Sequence, residues 1–367
     1  NYKGQEGDSL KLNVQTVETS IMKFNPYTWN LYRQTVIGEK MIKYFSDAEG
    51  YDLFKRYCPY SCFIPEDLYN DWLEDIYCYG VSDYDKPVSL DEAKELYVSL
   101  ITLGIRVEGQ QWLPANDFKN MLEIIQPMSY ILSQFAPEYF FPYLFLCRIF
   151  ELNKIADLFG IDLPNIPKRT DYKGRCMYYW ELCEIFYGFR KENGLSSVEL
   201  WAFLYDFALN NIQNEKTDIP KPSQAWFIGG RLYPEDKSLD SKFWQSNPDT
   251  AKGDILVHYE TSPVSAITCI ETSLTDGVID PLFRYYGCIY IGNRINIPRI
   301  SLKELQADEY FSKHSLIRKK FQGVNGWGMS SEDYSELLRV IKAKGFDTGT
   351  LPKLYAPTMP KNVNIEI

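Results

Sequence analysis

Histidine is nearly missing from this sequence, whose 367 residues include only His258 and His314. So few histidines weigh against His-based zinc sites and catalytic triads. Motifs of common enzyme classes are missing as well, since the chain has no Walker loop, HExxH, GxSxG or paired CxxC. We therefore expect no metal, no cofactor and no enzyme activity, and keep an enzyme of unknown reaction as a third alternative.

Long apolar runs are absent too. No run reaches the roughly 20 residues that span a bilayer, and the most apolar stretch, Glu138–Phe150, is shorter and contains Pro142. No secretory signal opens the sequence. Among the eight cysteines, Cys58, Cys62 and Cys78 come nearest to zinc-site spacing, but no histidine or second close pair accompanies them. We expect reduced cysteines, a cytoplasmic protein and no membrane contact.

Positive charge is in short supply. The formal net charge is -10 and the pI is near 5.0, which excludes a broadly basic nucleic-acid binder. A local basic patch can still act on an acidic protein, and the clearest one is Arg318-Lys319-Lys320. Acidic helices would repel phosphate, so we expect the helical part of the chain to engage a protein partner.

Aromatic residues, in contrast, are plentiful at 16% of the chain, with 28 Tyr and 21 Phe. Such a surplus favours aromatic-rich cores or stacking surfaces. The length is enough for two or three domains. The sequence begins at Asn1, and Met22 would suit a native start, so we expect residues 1–22 to be a lead segment that is either processed or not native.

Residues 23–215 predict a large helical domain. Apolar positions recur near a 3.6 period over roughly seven to nine segments, and capping boxes are expected at Ser89 and Ser196. An apolar helix is expected over 138–159, and IRVEGQQWLP is a candidate for extended chain. The polar, proline-containing stretch before QAWFIGG predicts a linker over 216–223.

After the linker the pattern switches to strands. QAWFIGG, ILVHYE and SAITCIE are typical of about five short strands over residues 224–346, and LDSKFWQSN is expected to be a helical or loop insert. Ser301 opens a short helix, and Ser330 opens a last one that Gly345 ends. We predict an α+β protein whose large helical domain precedes a small β-barrel, with residues 347–367 as a tail.

The order of residues in the predicted barrel resembles a known superfamily. A strand carries Trp226, Trp244 follows, Gly253-Asp254 turns into a strand that ends near Tyr259, and Pro263 precedes SAITCIE. This order resembles the PUA-like superfamily, and within it the EVE and YTH-like domains. The resemblance implies a nucleic-acid-binding barrel that holds a modified or flipped base in an aromatic pocket. It covers the C-terminal barrel only.

A base offers a flat π face and a polar edge, so proteins grip it with aromatic rings and short polar groups. Stacking contributes ~1–3 kcal/mol per base. The expected site residues are Trp226, Trp244, Tyr259, Tyr286 and Trp327 for the walls, Gln322 and Asn325 for the edge, Gly229 and Gly230 for close approach, and Arg231, Arg284, Arg318, Lys319 and Lys320 for phosphates. Tyr285 and Tyr286 are neighbours in a predicted strand, so at most one of them can line a given pocket.

Each of these residues has a packing alternative. Trp226 could simply fill the barrel, and the basic run could be a solvated helix end. Acid–base pairs can be drawn between Glu271 and Asp280 or between Asp254 and His258. The latter two are four residues apart in a strand, which separates them by about 13 Å and prevents a hydrogen bond.

We predict non-catalytic binding, in which the barrel reads a base of DNA or RNA and a modified base is one candidate. The alternative is a protein-interaction or scaffold module without nucleic-acid binding. A binder needs a positive rim around a concave aromatic pocket, whereas a scaffold would show a filled barrel and a large apolar patch elsewhere. An enzyme would need converging titratable groups in the pocket.

Overall fold

Two units make up the described chain. The computed structural model describes residues 26–58, 64–107, 110–213, 219–232, 241–283 and 287–354. The first unit holds the described residues up to 213 together with 281–283, and the second holds 219–280 and 287–354. Helices dominate the first unit and a curled sheet dominates the second, which is consistent with the α+β class.

The helices of the first unit fall close to the predicted segments. They are Pro26–Arg33 (α1), Val36–Asp47 (α2), Gly50–Tyr57 (α3), Glu66–Ile76 (α4), Leu90–Leu103 (α5), Phe118–Phe135 (α6), Ile149–Phe159 (α7), Tyr172–Glu192 (α8), Ser197–Ala202 (α9) and Ala208–Gln213 (α10). A π-helical turn over Tyr77–Val81 follows α4, and a second one over Phe203–Phe207 joins α9 to α10. No helix among the described residues is long and apolar enough to cross a membrane.

Side chains cap two helices where the sequence predicts capping boxes. At α9 the Ser196 hydroxyl accepts from the Glu199 N–H, and the Glu199 carboxylate accepts from the Ser196 N–H, so the box is complete. At α5 the Ser89 hydroxyl accepts from the Glu92 N–H at 3.2 Å, but the Glu92 carboxylate accepts from Val88 instead. At Ser89, therefore, the hydroxyl half of the capping box is formed and the carboxylate half is not.

The helix expected over 138–159 is shorter than predicted, because α7 begins only at Ile149. Pro142 has no N–H to donate and disfavours helical backbone at the residue before it. Residues 140–145 are buried irregular chain instead, and the Tyr143 N–H donates to Ser129 Oγ at 2.8 Å. The long apolar run predicts a helix, but its backbone groups have other partners.

The first unit is not wholly helical. Ile105–Val107 (β1) and Gln110–Leu113 (β2) pair as an antiparallel hairpin, so the large N-terminal domain predicted as all-helical contains a small sheet. This hairpin falls within IRVEGQQWLP, the segment that the sequence marks as extended.

The aromatic surplus lies mostly in the core of the first unit. Of the largest fully buried side chains, all but Tyr334 belong to this unit. Buried hydroxyls are satisfied by backbone carbonyls: Tyr97 donates to Cys176 O at 2.7 Å and Tyr179 to Phe141 O at 2.8 Å. Packing therefore accounts for much of the aromatic content.

A curled, open sheet forms the second unit, with strands in the order β4-β8-β6-β5-β3-β9 and β7 beside β8. Its strands are Ala225–Gly230 (β3), Ser241–Ser246 (β4), Ile255–Glu260 (β5), Ala266–Ser273 (β6), Val278–Ile279 (β7), Gly287–Ser301 (β8) and Trp327–Met329 (β9). Strands β3 and β5 are parallel, and the other pairs are antiparallel. We call this sheet the half-barrel.

Strand β4 stands where the sequence predicts a helical or loop insert. It pairs with β8, and Trp244 lies opposite Ile289. The alternation of apolar and polar residues that marks a strand is hidden here, because Lys242 and Ser246 are polar and yet share the inner face with Trp244. Both are buried.

Helices cover the outer face of the half-barrel. Leu302–Ala307 (α11), Ser315–Arg318 (α12) and Ser331–Ala343 (α13) pack against outer-face strand residues such as Phe227 and Val257. Ser301 and Ser330 open α11 and α13 with complete capping boxes, as predicted. Leu351 is 4% exposed and joins this core, so the described residues 347–354 belong to the unit and not to a tail.

The inner face carries a smaller apolar cluster. It comprises Trp226, Ile228, Leu256, Ile289 and Ile291, with Trp244 packed against it. The sheet curls far enough for the edge strand β4 to meet β3, since a Cβ added at Gly230 would lie 2.5 Å from the Trp244 indole. The interior of the half-barrel is therefore largely filled by side chains.

Candidate functional site

Polar side chains gather inside the half-barrel among these apolar ones. They are Lys242, His258, Cys269, Glu271 and Arg294, and we call them the inner polar cluster. Strand register explains the grouping. His258 lies opposite Cys269 in the β5–β6 pair, and Glu271 is two residues beyond Cys269, so all three side chains point to the inner face.

Glu271 is the centre of this cluster. One carboxylate oxygen lies 2.9 Å from His258 Nδ1, and the other accepts from Arg294 Nε at 2.9 Å. Both His258 and Glu271 are almost completely buried. A buried carboxylate is costly unless it is paired and hydrogen-bonded, and here both oxygens are engaged.

These contacts and the burial of the cluster shift the pKa values of Glu271 and Cys269. Burial alone would raise the pKa of the Glu271 carboxyl, but the His258 hydrogen bond and the charges of His258, Lys242 and Arg294 hold it below its ordinary value. Burial, helped by the Glu271 charge, raises the pKa of the Cys269 thiol to about 12. At neutral pH the cluster therefore holds a carboxylate and a protonated thiol, which is a poor nucleophile.

A metal ion is the first occupant to test against these residues. One ligand atom from each of His258, Cys269 and Glu271 lies within 4.8 Å of the others, and such N, S and O donors suit Zn²⁺. However, the Glu271 oxygens are already engaged by His258 and Arg294. A divalent cation would also lie close to two fixed positive charges, on Lys242 and Arg294. We therefore interpret the cluster as a hydrogen-bonded network.

Trp244 forms the boundary between the cluster and the surface. The half-buried indole meets the His258 ring edge-on, with centroids 4.6 Å apart, and Lys242 Nζ lies 4.6 Å from the indole centroid. Trp244 Nε1 and His258 Nε2 are both buried, and no residue in the described part of the chain offers either nitrogen a hydrogen bond.

Trp226 has a packing role. It is 8% exposed, and its indole N–H donates to Asp254 Oδ2 at 2.9 Å. Asp254 also accepts from the backbone of Ser223, Gln224 and Ala251. This fits the alternative in which Trp226 fills the barrel. The Asp254 carboxylate accepts from these donors, and His258 is bonded to Glu271 instead.

One loop reaches the open end of the half-barrel. The Gly229 N–H donates to Asn325 Oδ1 at 2.8 Å, and Asn325 Nδ2 donates to Gln245 Oε1 at 3.2 Å. Gly230 and Trp244 lie beside this bridge. We call the end of the sheet where Gly229, Gly230, Trp244 and Asn325 meet the mouth.

The remaining aromatic candidates lie on the other side of the sheet. Tyr259 is 4% exposed and stacks on Phe321, with centroids 3.8 Å apart, so it belongs to the outer core. Trp327 is half-buried against the same core, and Lys319 Nζ lies 5.6 Å from its ring centroid.

The predicted phosphate contacts are mostly on the surface. Arg231, Arg318, Lys319 and Lys320 are all exposed, and so is Gln322, which was expected at the base edge. Arg284 and Tyr286, with Tyr285, lie outside the described residues.

Of the three cysteines that come nearest to zinc-site spacing, Cys62 also lies outside the described residues, Cys58 is buried and Cys78 is exposed.

Sequence reasoning missed the pairing of His258 with Glu271. It offered Glu271 to Asp280 and Asp254 to His258. The strand register instead places His258 opposite Cys269, and the His258 ring bonds to Glu271, two residues beyond Cys269 on the same face. A signal was present, because ILVHYE and AITCIE each carry polar residues at alternate positions of an otherwise apolar strand. Two such strands that pair must bury those groups together.

No family model matches the chain, and no curated protein matches it. Among solved structures, the chain is similar to a protein from Agrobacterium tumefaciens with 17% identity and a TM-score of 0.30, over 36% of this chain and 99% of that one. A protein from Rhodopseudomonas palustris shares 12% identity with a TM-score of 0.29, over 33% of this chain and 94% of that one. A hypothetical protein from Leishmania major shares 11% identity with a TM-score of 0.29, over 34% of this chain and 97% of that one. Identities and TM-scores this low support no conclusion about function.

Contact between Gly230 and Trp244 can be tested directly. Gly230→Ala is expected to lower the free energy of unfolding by roughly 1–3 kcal/mol, because the new methyl would overlap the indole and displace it. Urea unfolding followed by tryptophan fluorescence measures the loss. Gly328→Ala in β9 is the matched control, since its methyl would lie 3.6 Å from the nearest atoms. Equal effects of the two variants would contradict this packing.

Proposed function

We propose that the second unit is a PUA-like domain of the EVE or YTH-like kind, which binds DNA or RNA and holds one base at the mouth. Binding is non-catalytic, and a modified base is one candidate target. Trp244 offers its ring to the base, Asn325 lies beside the base edge, and the basic run contacts phosphates.

The loop that joins the basic run to the mouth carries this proposal. It starts at the exposed Arg318-Lys319-Lys320 and runs through Gln322 to Asn325, whose amide is held by Gly229 and Gln245. Cations that can contact phosphates therefore lie on the same short loop as a polar side chain fixed at the mouth.

The contacts of each aromatic residue decide which of them can still stack on a base. Trp226 is tied to Asp254 and Tyr259 is stacked on Phe321, so neither offers a ring face to a ligand. Trp244 and Trp327 are half-buried and keep part of their surface outside. We assign the base to Trp244 and a neighbouring nucleotide to Trp327.

Fluorescence anisotropy with short single- and double-stranded DNA and RNA, with and without methylated or hydroxymethylated bases, tests the proposal at two salt concentrations. Trp244→Ala is expected to weaken binding by ~1–3 kcal/mol, because the base can no longer stack on the indole. The double variant Lys319→Ala and Lys320→Ala is expected to weaken binding of every sequence. It should also lower the salt dependence by about one unit of slope for each phosphate that the protein no longer neutralises. Lys303→Ala on α11 is the matched control, an exposed lysine away from the loop.

Lack of binding by every probe at low salt would overturn the proposal. The alternative, a protein-interaction module, is supported by the largely filled interior of the half-barrel and by exposed apolar side chains in the first unit. Val36 and Ile37 at the start of α2 are 67% and 65% exposed, and the same helix lines a groove of about 460 Å³. Adjacent exposed apolar residues of this kind suit a protein partner.

A further inference from the structure

Two helix faces of opposite charge are exposed on the first unit. The acidic face lies on α4 and the π-helical turn after it, and it comprises Asp67, Leu68, Asp71, Glu74, Tyr77 and Tyr79. The basic face lies on α2 and comprises Val36, Ile37, Lys40 and Lys43. We propose that the acidic face of one copy of this chain binds the basic face of a second copy, so that the protein associates head to tail. This inference does not depend on nucleic-acid binding by the half-barrel.

The carboxylates of the acidic face lie on one side of their helix. Asp67, Asp71 and Glu74 follow the i, i+4, i+7 spacing of neighbours on an α-helix, and all three are exposed. No Lys or Arg occurs between residues 57 and 85, and no ion pair within the described part of the chain involves these carboxylates. Like charges at this spacing destabilise a helix by ~0.2–0.5 kcal/mol per pair. A positively charged partner would relieve this repulsion.

Apolar side chains flank the carboxylates of the acidic face. Leu68, Tyr77 and Tyr79 are 42%, 47% and 38% exposed. Both tyrosines belong to the π-helical turn, and turns of this kind are frequent at functional sites. A tyrosine combines a large apolar ring with a hydroxyl, and this makes it a common anchor of protein interfaces. The face therefore offers apolar contact as well as charge.

The basic face repeats the same spacing with the opposite charge. Val36, Lys40 and Lys43 also lie at i, i+4 and i+7 on α2, and all three are exposed. Residues 26–46 contain three basic residues and one acidic residue, Glu39. The groove of about 460 Å³ that α2 lines and the adjacent exposed Ile37 give this face an apolar part as well. Charge and apolar contact on the two faces are therefore complementary.

The presence of both faces on one unit identifies the partner as a second copy. Helix α2 packs against α1 and α9, whereas α4 packs against α3 and α6. Side chains of both faces are exposed, so the faces do not cover each other within one copy. Because the two faces differ, the contact between copies is heterologous. Each added copy leaves one acidic and one basic face free, so association continues beyond a dimer until a ring closes.

Sedimentation velocity of the full chain, treated with nuclease to remove nucleic acid, measures this association. The weight-average sedimentation coefficient is expected to rise with protein concentration at low salt. It should rise less at high salt, because salt screens exposed charges. Asp71→Lys with Glu74→Lys reverses the acidic face, and Lys40→Glu with Lys43→Glu reverses the basic face. Each double variant alone is expected to associate about tenfold more weakly, or less still, because like charges then meet.

A mixture of the two double variants tests whether these faces bind each other. The reversed acidic face of one variant meets the reversed basic face of the other, and their charges are again opposite. The mixture is therefore expected to associate although neither variant does so alone, and misfolded protein cannot produce this rescue. Glu95→Lys with Glu192→Lys is the matched control, since it reverses two exposed carboxylates on α5 and α8 and is expected to associate like the wild type.

Four results would overturn the proposal. They are a wild-type chain that stays monomeric at every concentration at low salt, association that nuclease treatment abolishes, a mixture of the face variants that stays monomeric, and a control variant that loses association as fully as they do. Nucleic-acid binding by the half-barrel is measured separately by anisotropy, so failure of either proposal leaves the other standing.

Discussion

Asp254→Ala is expected to lower the free energy of unfolding of the second unit by roughly 3–5 kcal/mol. The carboxylate is 1% exposed and accepts from the Trp226 indole and from the backbone N–H groups of Ser223, Gln224 and Ala251. Removing it leaves these donors buried and without an acceptor, and each unsatisfied donor costs free energy. It also releases the segment that leads into β3 from the turn before β5.

Urea unfolding gives the size of this loss, and hydrogen exchange read by mass spectrometry gives its location. Exchange is expected to rise in peptides from residues 223–230 and 251–260. Asp249→Ala is the matched control, because Asp249 is exposed in the same region and surface changes of this kind stay within about 0.5 kcal/mol. A loss for Asp254→Ala no larger than the control would show that Asp254 does not organise this end of the half-barrel.

The elements of the fold that local chemistry decides could be read from the sequence. The capped starts of α9, α11 and α13 rest on a hydroxyl three residues before a carboxylate, so Ser196, Ser301 and Ser330 marked them correctly. Elements decided by tertiary contact could not be read in this way. Strand β4 carries polar residues on its buried face, so its sequence lacks the alternation of apolar and polar residues that marks a strand.

The candidate site depends on cross-strand register, which the sequence does not state. Trp226 and Trp244 both lie in short strands of the half-barrel, yet one indole is bound to Asp254 and the other has no partner in the described chain. The difference arises because Asp254 lies at the start of β5 next to β3, while Trp244 comes from the edge strand that curls over. The folded sheet is therefore needed to tell that Trp226 is a packing residue and that Trp244 is the candidate for ligand contact.

Glu271→Gln is expected to cost about 3 kcal/mol at neutral pH, because it removes the charged partner of a buried network. The amide can accept only through its oxygen, so either Arg294 or His258 is left without an acceptor. Its NH2 group would also face the proton on His258 Nδ1 or force the other tautomer. Glu309→Gln is the matched control, since Glu309 is exposed and its replacement is expected to stay within about 0.5 kcal/mol.

The pH dependence of this difference identifies its cause. The folded pKa of Glu271 is held below its ordinary value, so the carboxylate stabilises the fold above the unfolded pKa of about 4.3. This contribution is lost as the pH falls through the lower folded value. Wild type and Glu271→Gln should therefore differ most near pH 7 and converge in acid, since all other carboxyl groups are common to both. Urea unfolding at a series of pH values measures this convergence, and a difference that stays constant down to pH 3 would show that shape, and not the charge of Glu271, holds the network together.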